Sequence, residues 1–293
     1  MDEWLKDLDL FDKPEHQAYV WEHPITDTDA QIRPGALLIH GFPGTPMETR
    51  ALGAHLHGCG WSVRAPLLPG FGPEIGTLFE RDYEEWIAEA ETALRELQAQ
   101  HDPTLIIGHS MGGAVALNVA AALKPGGLIL LAPFWRLPFN SPLIRALSPI
   151  LRVFIRRTRP FRSLDLTSSE MQADMEAYLP DVDLDDPEVR QQIRNITVPT
   201  RVFEQLEALG DEAYDAAERI TAPTLILQGI EDELVNRTLT RKILTKISGP
   251  VEYHEIHAEH NLLMDEAPGW SRVKAHVQTF ASRLLDPAER NAL

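Results

Sequence analysis

The chain has 293 residues, of which 44% are hydrophobic and 24% are charged, and its formal net charge at pH 7 is −17. These values are ordinary for a soluble globular protein with one large α/β domain, and the negative charge argues against nucleic acid and anionic membranes as partners. No apolar run approaches the roughly 18 residues that span a bilayer, residues 1–7 do not resemble a signal peptide, and Cys59 is the only cysteine. We therefore expect a cytoplasmic protein with no intrachain disulfide and no stable insertion into a membrane.

The first half of the chain alternates short apolar runs with amphipathic segments. Apolar runs predict strands at about 17–21, 36–40, 61–66, 104–107 and 127–133, and apolar residues at helical spacing predict helices at about 45–58, 82–97 and 114–123. Thr45, Pro46 and Glu48 have the form of a helix start, in which Glu48 closes a capping box on Thr45. Strands that alternate with helices through short loops predict an α/β fold, with a mostly parallel central sheet flanked by helices.

This alternation breaks after the fifth strand and resumes near residue 218. Between 134 and 217 prolines separate short helical segments, and the one strand candidate is 198–203. We predict a core domain of residues 1–133 and 218–293 and a helical cap insertion of residues 134–217. The apolar residues of the cap, Leu151 and Phe154 among them, are candidates for contact with substrate. Strands at 224–229 and 251–256 and helices from about 237 and over 270–285 complete the core.

A Gly-x-Ser-x-Gly motif, Gly108 to Gly112, lies between the predicted strand at 104–107 and the predicted helix at 114–123. Strand, motif and helix in this order are typical of a nucleophile elbow, although the same motif also occurs in ordinary Gly-rich turns. So sharp a turn requires very small residues two positions before and after the serine, which the two glycines provide. Ser110 is therefore the candidate nucleophile, and the first N–H groups of the helix lie where acyl transfer develops negative charge.

A serine hydroxyl needs a histidine base, and the histidine needs a carboxylate that sets its tautomer. Asp232 and His260 both follow predicted strands, and functional groups in an open parallel sheet gather beyond the carboxyl ends of its strands. The sheet can therefore bring both side chains to Ser110. This pattern predicts Ser110, Asp232 and His260 as the catalytic residues.

Neighbouring residues compete for two of these roles. Glu231 and Glu233 flank Asp232, which we favour because it lies three residues beyond Gly229. A histidine at position 257 competes with the one at 260, but it lies at the end of its strand, where a structural hydrogen bond is the simpler role. The histidines at 254, 257 and 260 do not predict a metal site, because their spacing on an extended strand scatters them over both faces.

The expected oxyanion hole consists of two backbone N–H groups. Met111 follows the nucleophile directly and supplies one of them. The other is expected from the loop after the strand at 36–40, where Pro43 has no N–H and Phe42 is the available donor. The Phe42 ring would then also form part of the acyl pocket, and His40 is expected to be a structural hydrogen-bonding residue.

Six motifs resemble those of the carboxylesterase and monoacylglycerol-lipase group of the α/β-hydrolases, and the order Ser, Asp, His is also that of this superfamily. The resemblance covers residues 35–133 and 220–285 and hardly extends to the predicted cap. The motifs are His40-Gly41-Phe42-Pro43-Gly44-Thr45-Pro46, Leu68-Pro69-Gly70-Phe71-Gly72, Asp82-Tyr83-x-x-Trp86, Gly108-His109-Ser110-Met111-Gly112-Gly113, Gly229-x-x-Asp232-x-x-Val235 and His260-Asn261-Leu262-Leu263.

This resemblance implies hydrolysis of small acyl esters with short-to-medium chains, monoacylglycerols among them, through an acyl-enzyme intermediate and without a cofactor or metal. It assigns the catalytic roles to Ser110, Asp232 and His260 and the oxyanion hole to Phe42 and Met111. The sequence departs from the group at positions 71 and 259, where members often have histidine and glycine.

Two other classes of function are compatible with the same motifs. The same three residues can hydrolyse thioesters, amides or carbon–carbon bonds, and a ligand receptor of low turnover can have the same fold. The complete Ser, Asp and His set argues against a receptor, and a turnover assay on acyl esters of different chain lengths would distinguish these functions.

Overall fold

A computed structural model describes residues 11–23, 33–137, 157–159, 161–162, 165–167, 183–265, 268–286 and 288. Leu151 and Phe154 lie outside these ranges. The described strands are β1 (Tyr19–Trp21), β2 (Gly35–Ile39), β3 (Ser62–Ala65), β4 (Thr104–His109), β5 (Gly127–Leu131), β6 (Arg157–Thr158), β7 (Val198–Pro199), β8 (Thr224–Gly229) and β9 (Val251–Ile256). The described α-helices are α1 (Arg50–Gly58), α2 (Tyr83–Gln98), α3 (Met111–Leu123), α4 (Pro187–Asn195), α5 (Thr200–Ala216), α6 (Arg237–Leu244) and α7 (Trp270–Leu285).

Seven of these strands form one sheet, in the order β1-β3-β2-β4-β5-β8-β9. Only β1 is antiparallel to its neighbour, so the prediction of a mostly parallel central sheet is confirmed. The register places Ile39 opposite Gly108, and Gly229 opposite Ile256. The segments after β2, β4, β8 and β9 therefore all leave the sheet at the same edge, which is where the predicted functional residues lie.

The central strands are apolar on both faces because helices cover both sides of the sheet. Successive side chains of a strand point to opposite faces. Leu37 and Ile39 accordingly pack in one core with α2, α3, α5 and α6, whereas Ala36 and Leu38 pack in a second core with α1 and α7. No helix in the described part of the chain is long and apolar enough to cross a membrane.

The final part of the predicted cap packs directly on the main domain. Helix α5 contributes Val202, Leu206 and Leu209 to the core that α2 and α3 also line. The strand predicted at 198–203 is wrong beyond Pro199, because α5 begins at Thr200 and presents apolar residues at helical spacing to α3. Because most of the range 138–182 lies outside the described residues, the division into core and cap stays a prediction.

An aromatic contact joins the segment after β5 to helices α5 and α6. The Trp135 ring stacks on Tyr214 with centroids 4.4 Å apart, and its Nε1 donates to the carbonyl oxygen of Leu239 over 2.9 Å. Gly210 of α5 touches the backbone beneath this ring, since a Cβ built on it would lie 2.1 Å from the Trp135 carbonyl oxygen. The chain that leaves β5 is thus held closely against α5.

We expect Gly210→Ala to lower the free energy of unfolding by about 1–3 kcal/mol, because the added methyl group requires the two backbones to move apart. Urea unfolding followed by circular dichroism measures this change. The matched control is Gly58→Ala, at an exposed helix end where a Cβ would meet nothing within 4 Å. An equal loss of stability in both variants would show that the close approach at Gly210 is unimportant.

Candidate active site

The candidate nucleophile lies on a strained turn between β4 and α3. Ser110 has φ 51° and ψ −118°, a region that residues other than glycine rarely adopt and that is often found at active sites. The expected need for very small neighbours is met in the structure. A Cβ on Gly108 would lie 2.2 Å from the Gly112 carbonyl oxygen, and one on Gly112 would lie 2.4 Å from that of Ile39. This turn holds Ser110 beyond the carboxyl end of β4.

The three predicted catalytic residues lie together and form a chain of hydrogen bonds. The distance from Ser110 Oγ to His260 Nε2 is 2.9 Å, and that from His260 Nδ1 to Asp232 Oδ2 is also 2.9 Å. The Asp232 side chain is completely buried and that of His260 is 15% exposed. Adjacent strands β4, β5, β8 and β9 bring these distant positions to one edge of the sheet.

The competing residues lie outside this chain of hydrogen bonds. His257 is 74% exposed, and its Nδ1 lies 3.2 Å from Oε1 of Glu231. Glu233 is also exposed, whereas Asp232 between them is buried. The geometry therefore favours Asp232 over the two flanking glutamates, and His260 over His257, as the sequence analysis expected.

Three polar groups fix the Asp232 carboxylate besides His260. Its Oδ1 accepts from the backbone N–H groups of Leu234 and Val235 at 2.9 and 2.8 Å, and its Oδ2 accepts from Gln228 Nε2 at 2.8 Å. The Gln228 amide is itself oriented by Thr240, whose hydroxyl donates to Gln228 Oε1 over 2.6 Å. The sequence analysis missed Gln228 and Thr240. The available signal was a glutamine at the end of an otherwise apolar strand.

The two candidate oxyanion donors lie beside Ser110. Met111 begins α3, and Phe42 follows Gly41, on which a Cβ would lie 3.2 Å from Ser110 Cβ. Within the described residues, neither Phe42 nor Met111 donates its backbone N–H to another group. Both N–H groups therefore remain candidate donors for an oxyanion hole.

Glu48 has a different environment from the predicted capping box. The Thr45 side chain makes no capping hydrogen bond, and the Glu48 carboxylate instead accepts from the backbone N–H of Gly41 over 3.0 Å and pairs with His109 Nδ1. The helix-start pattern described the sequence spacing correctly but could not show that β4 brings a histidine to this carboxylate. The other nitrogen of His109, Nε2, donates to the His260 carbonyl oxygen over 3.1 Å.

These contacts shift the pKa values of both groups. Burial raises the pKa of Glu48, but the charge of His109 and the hydrogen bonds from His109 and Gly41 outweigh burial and hold it below its ordinary value. Burial likewise lowers the pKa of His109, but the Glu48 charge and hydrogen bond outweigh burial and raise it. A buried ion pair of this kind is expected where each charge has a partner.

His40 lies under the same loop, and its pKa is shifted in the opposite direction to that of His109. Its Nε2 accepts from the Leu68 backbone N–H over 3.2 Å, so the ring proton is on Nδ1, which donates to the Gly41 carbonyl oxygen over 2.9 Å. Burial lowers the pKa of His40, which favours this neutral form. His40 is therefore a structural hydrogen-bonding residue, as the sequence predicted.

An aromatic wall extends from the site into the core. The Phe42 ring meets Phe71 edge-on with centroids 5.9 Å apart, and Phe71 meets the buried Trp86 at 5.7 Å.

Among the residues that the structure describes, no group of three or more histidine, cysteine or acidic side chains is arranged to hold a metal ion.

Comparison with known proteins identifies the family. The family model described as serine aminopeptidase, S33, matches residues 31–267, which is well over half of the chain. Over 203 residues the chain is 27% identical to a thermostable monoacylglycerol lipase of Bacillus sp. (strain H-257), covering 69% of this chain and 71% of the relative. It is also 20% identical over 247 residues to a carboxylesterase of Bacillus subtilis (strain 168), covering 83% and 85%.

A solved structure shows the same architecture. The monoacylglycerol lipase of Paleococcus ferrophilus aligns with a TM-score of 0.63 and 20% identity, covering 91% of this chain and 98% of the other. This likeness concerns the fold, in agreement with the parallel sheet described above. With the fold, the family match and the named relatives in agreement, the chain belongs to the serine aminopeptidase S33 family of α/β-hydrolases, in its carboxylesterase and monoacylglycerol-lipase group.

Proposed function

We propose that this protein hydrolyses carboxylic esters with short-to-medium acyl chains, monoacylglycerols among them, through an acyl-enzyme intermediate on Ser110. The observation that supports this most strongly is the chain of hydrogen bonds from Ser110 through His260 to Asp232, with both distances at 2.9 Å. Two relatives, a monoacylglycerol lipase and a carboxylesterase, are named for the hydrolysis of carboxylic esters.

The first step is attack of Ser110 Oγ on the ester carbonyl carbon. His260 Nε2 lies within hydrogen-bonding distance of Oγ and accepts its proton as the new bond forms. The imidazolium that results donates its Nδ1–H to Asp232 Oδ2, and the negative charge of this carboxylate stabilises it. Since the carboxylate is completely buried, water screens this attraction weakly.

The carbonyl oxygen becomes an anion in the tetrahedral intermediate. In this proposal the backbone N–H groups of Phe42 and Met111 donate to it, because both lie beside Ser110 and donate to no other group in the described part of the chain. Fixed donors of this kind stabilise the transition state without reorganisation during the reaction.

Collapse of the intermediate breaks the bond to the alcohol, which leaves with the proton that His260 holds. Water then attacks the acyl-enzyme, with His260 again taking a proton and returning it to Ser110. The free carboxylic acid is released and the starting state is restored. No metal or cofactor takes part in this sequence.

Orientation of Asp232 depends on the side chains behind it. Gln228 donates to Asp232 Oδ2 and also to the Val235 carbonyl oxygen, both over 2.8 Å, so one amide ties the carboxylate to its own loop. The buried hydroxyl of Thr240 fixes which way this amide faces. We propose that Gln228 and Thr240 thereby position the carboxylate for His260.

Labelling of Ser110 tests the proposed function. A fluorophosphonate should add one adduct mass to the peptide that contains Ser110, and the wild-type protein should turn over p-nitrophenyl esters of short acyl chains. Ser110→Ala should lose about 10⁴-fold or more in kcat while it keeps its circular dichroism spectrum. Labelling elsewhere, or ester turnover that survives in Ser110→Ala, contradicts the proposal. Thioester and amide substrates in the same assay show whether another acyl bond is preferred.

Thr240→Val should lower both stability and activity, since it leaves Gln228 Oε1 buried without its donor. A loss of about 1–3 kcal/mol in the free energy of unfolding is expected, together with a lower kcat that reflects a less well oriented Asp232. Urea unfolding and ester kinetics measure the two effects. The matched control is Thr245→Val near the end of the same helix, where an exposed hydroxyl donates to the Lys242 carbonyl oxygen. Equal effects at both positions would argue against a role for the Gln228 amide.

The predicted cap is expected to set the acyl-chain preference. Burial of each additional methylene is worth roughly 0.8 kcal/mol, so kcat/KM should rise with chain length until the pocket is full and then fall. Leu151→Ala and Phe154→Ala should move this optimum and leave the rate of phosphonate labelling at Ser110 nearly unchanged. An unaltered chain-length profile in both variants would show that these residues do not contact the acyl chain.

A further inference from the structure

His109 directly precedes Ser110 in the sequence, and its ring lies between the Glu48 side chain and the backbone of His260. Its Nδ1 faces the Glu48 carboxylate, and its Nε2 lies 3.1 Å from the His260 carbonyl oxygen. Both partners are hydrogen-bond acceptors. A neutral imidazole carries one N–H and can donate to only one of them, whereas an imidazolium donates to both.

The surroundings of Glu48 favour the corresponding anion. Its Oε2 accepts from the Gly41 backbone N–H over 3.0 Å, its side chain is only 6% exposed, and that of His109 is 1% exposed. The carboxylate is also closely packed, since a Cβ on Gly44 would lie 2.4 Å from Oε2. Each member of the pair therefore contacts the other and one backbone group, which is the Gly41 N–H for Glu48 and the His260 carbonyl for His109.

We propose that Glu48 and His109 form a buried carboxylate–imidazolium pair that acts as a positioning device for the active site. The pair links the loop that carries Phe42, through the Gly41 N–H, to the backbone of His260. It thereby fixes the distance between the oxyanion donor and the general base without touching the substrate. The activity readout of this proposal depends on the proposed ester hydrolysis, whereas the charge of His109 can be measured without it.

This arrangement predicts how pH acts on the site. The titratable groups that face the pair are His40 from the end of β2, Asp232 from the loop after β8 and His260 from the loop after β9. His40 is held neutral by the Leu68 N–H, and Asp232 favours a positive charge on His109. His109 is therefore the member of this group whose change of state releases the His260 carbonyl.

The sign follows from the direction of each pKa shift. The pKa of His109 is raised, so the pair's contribution to stability through this group is complete below the ordinary pKa of 6.5. That contribution is lost as pH rises through the raised pKa. The pKa of Glu48 is lowered, so its contribution to stability is present above the ordinary pKa of 4.5. That contribution is lost as pH falls through the lowered pKa. Deprotonated His109 retains one N–H, which the charged Glu48 binds more strongly than a carbonyl does. Activity should therefore fall at alkaline pH.

Glu48→Gln separates charge from geometry. The glutamine Oε1 can accept from Gly41, its Nε2 can donate to Nδ1 of a neutral His109, and Nε2–H of that ring can still donate to the His260 carbonyl. We expect this variant to keep most of the wild-type kcat/KM at pH 7 and to lose the alkaline decline. Glu48→Ala removes the link and should lose roughly 10²-fold, the effect of a displacement of about 1 Å in a catalytic group. The control is Glu85→Gln, a half-exposed carboxylate on α2 that pairs with Arg81 and whose loss should leave the pH profile unchanged.

NMR of protein labelled with ¹⁵N-histidine measures the charge directly. Both ring nitrogens of His109 should be protonated at pH 7.5 in the wild type and only one in Glu48→Gln, with His109→Gln identifying the signals. A neutral His109 in the wild type overturns the proposal, and so does an alkaline decline that is the same in Glu48→Gln. If Ser110 is not labelled and no ester is turned over, the proposed function fails, while the NMR result still decides the state of the pair.

Discussion

The backbone turn at Ser110 is the constraint on which the rest of the site depends. Ser110 has a positive φ between a buried strand and a buried helix, and the neighbouring chains touch the backbone of this turn directly at Gly108 and Gly112. The helix thereby begins against the carbonyl groups at the end of β2, so the loop after β2 also lies beside the serine. A single turn thus brings together the candidate nucleophile and both candidate oxyanion donors.

Around this turn the polar groups are buried but partnered. Asp232 has acceptor sites filled by two backbone N–H groups, Gln228 and His260, and each further side chain in this network has its own partner. Because an unpaired polar group in such a place is costly, the network restricts the loops after β8 and β9 to one arrangement. The orientation of His260 therefore depends on the buried side chains behind Asp232.

Two buried histidines next to the site illustrate how partners decide charge. Burial disfavours the charged form of both His40 and His109. The Leu68 N–H requires a lone pair on His40, which favours the neutral ring, whereas His109 faces a carboxylate and a carbonyl, two acceptors that favour the protonated ring. The His40 ring holds the Gly41 carbonyl of the loop after β2, and the His109 ring joins the same loop, through Glu48, to the His260 backbone. Opposite pKa shifts within one small region thus accompany the same loop geometry.

The sequence by itself determined the parallel sheet, the order of its strands along the chain, and the positions of Ser110, Asp232 and His260, because apolar periodicity and a serine between two glycines are local signals. Only the tertiary structure decided what Glu48, Gln228 and Thr240 do, and that α5 rather than a strand follows Pro199. Glu48 had the correct spacing for a capping box, yet its partner His109 comes 61 residues later on another strand. Partners so far apart in sequence meet only because of which strands are neighbours in the sheet, and a local sequence pattern does not contain that information.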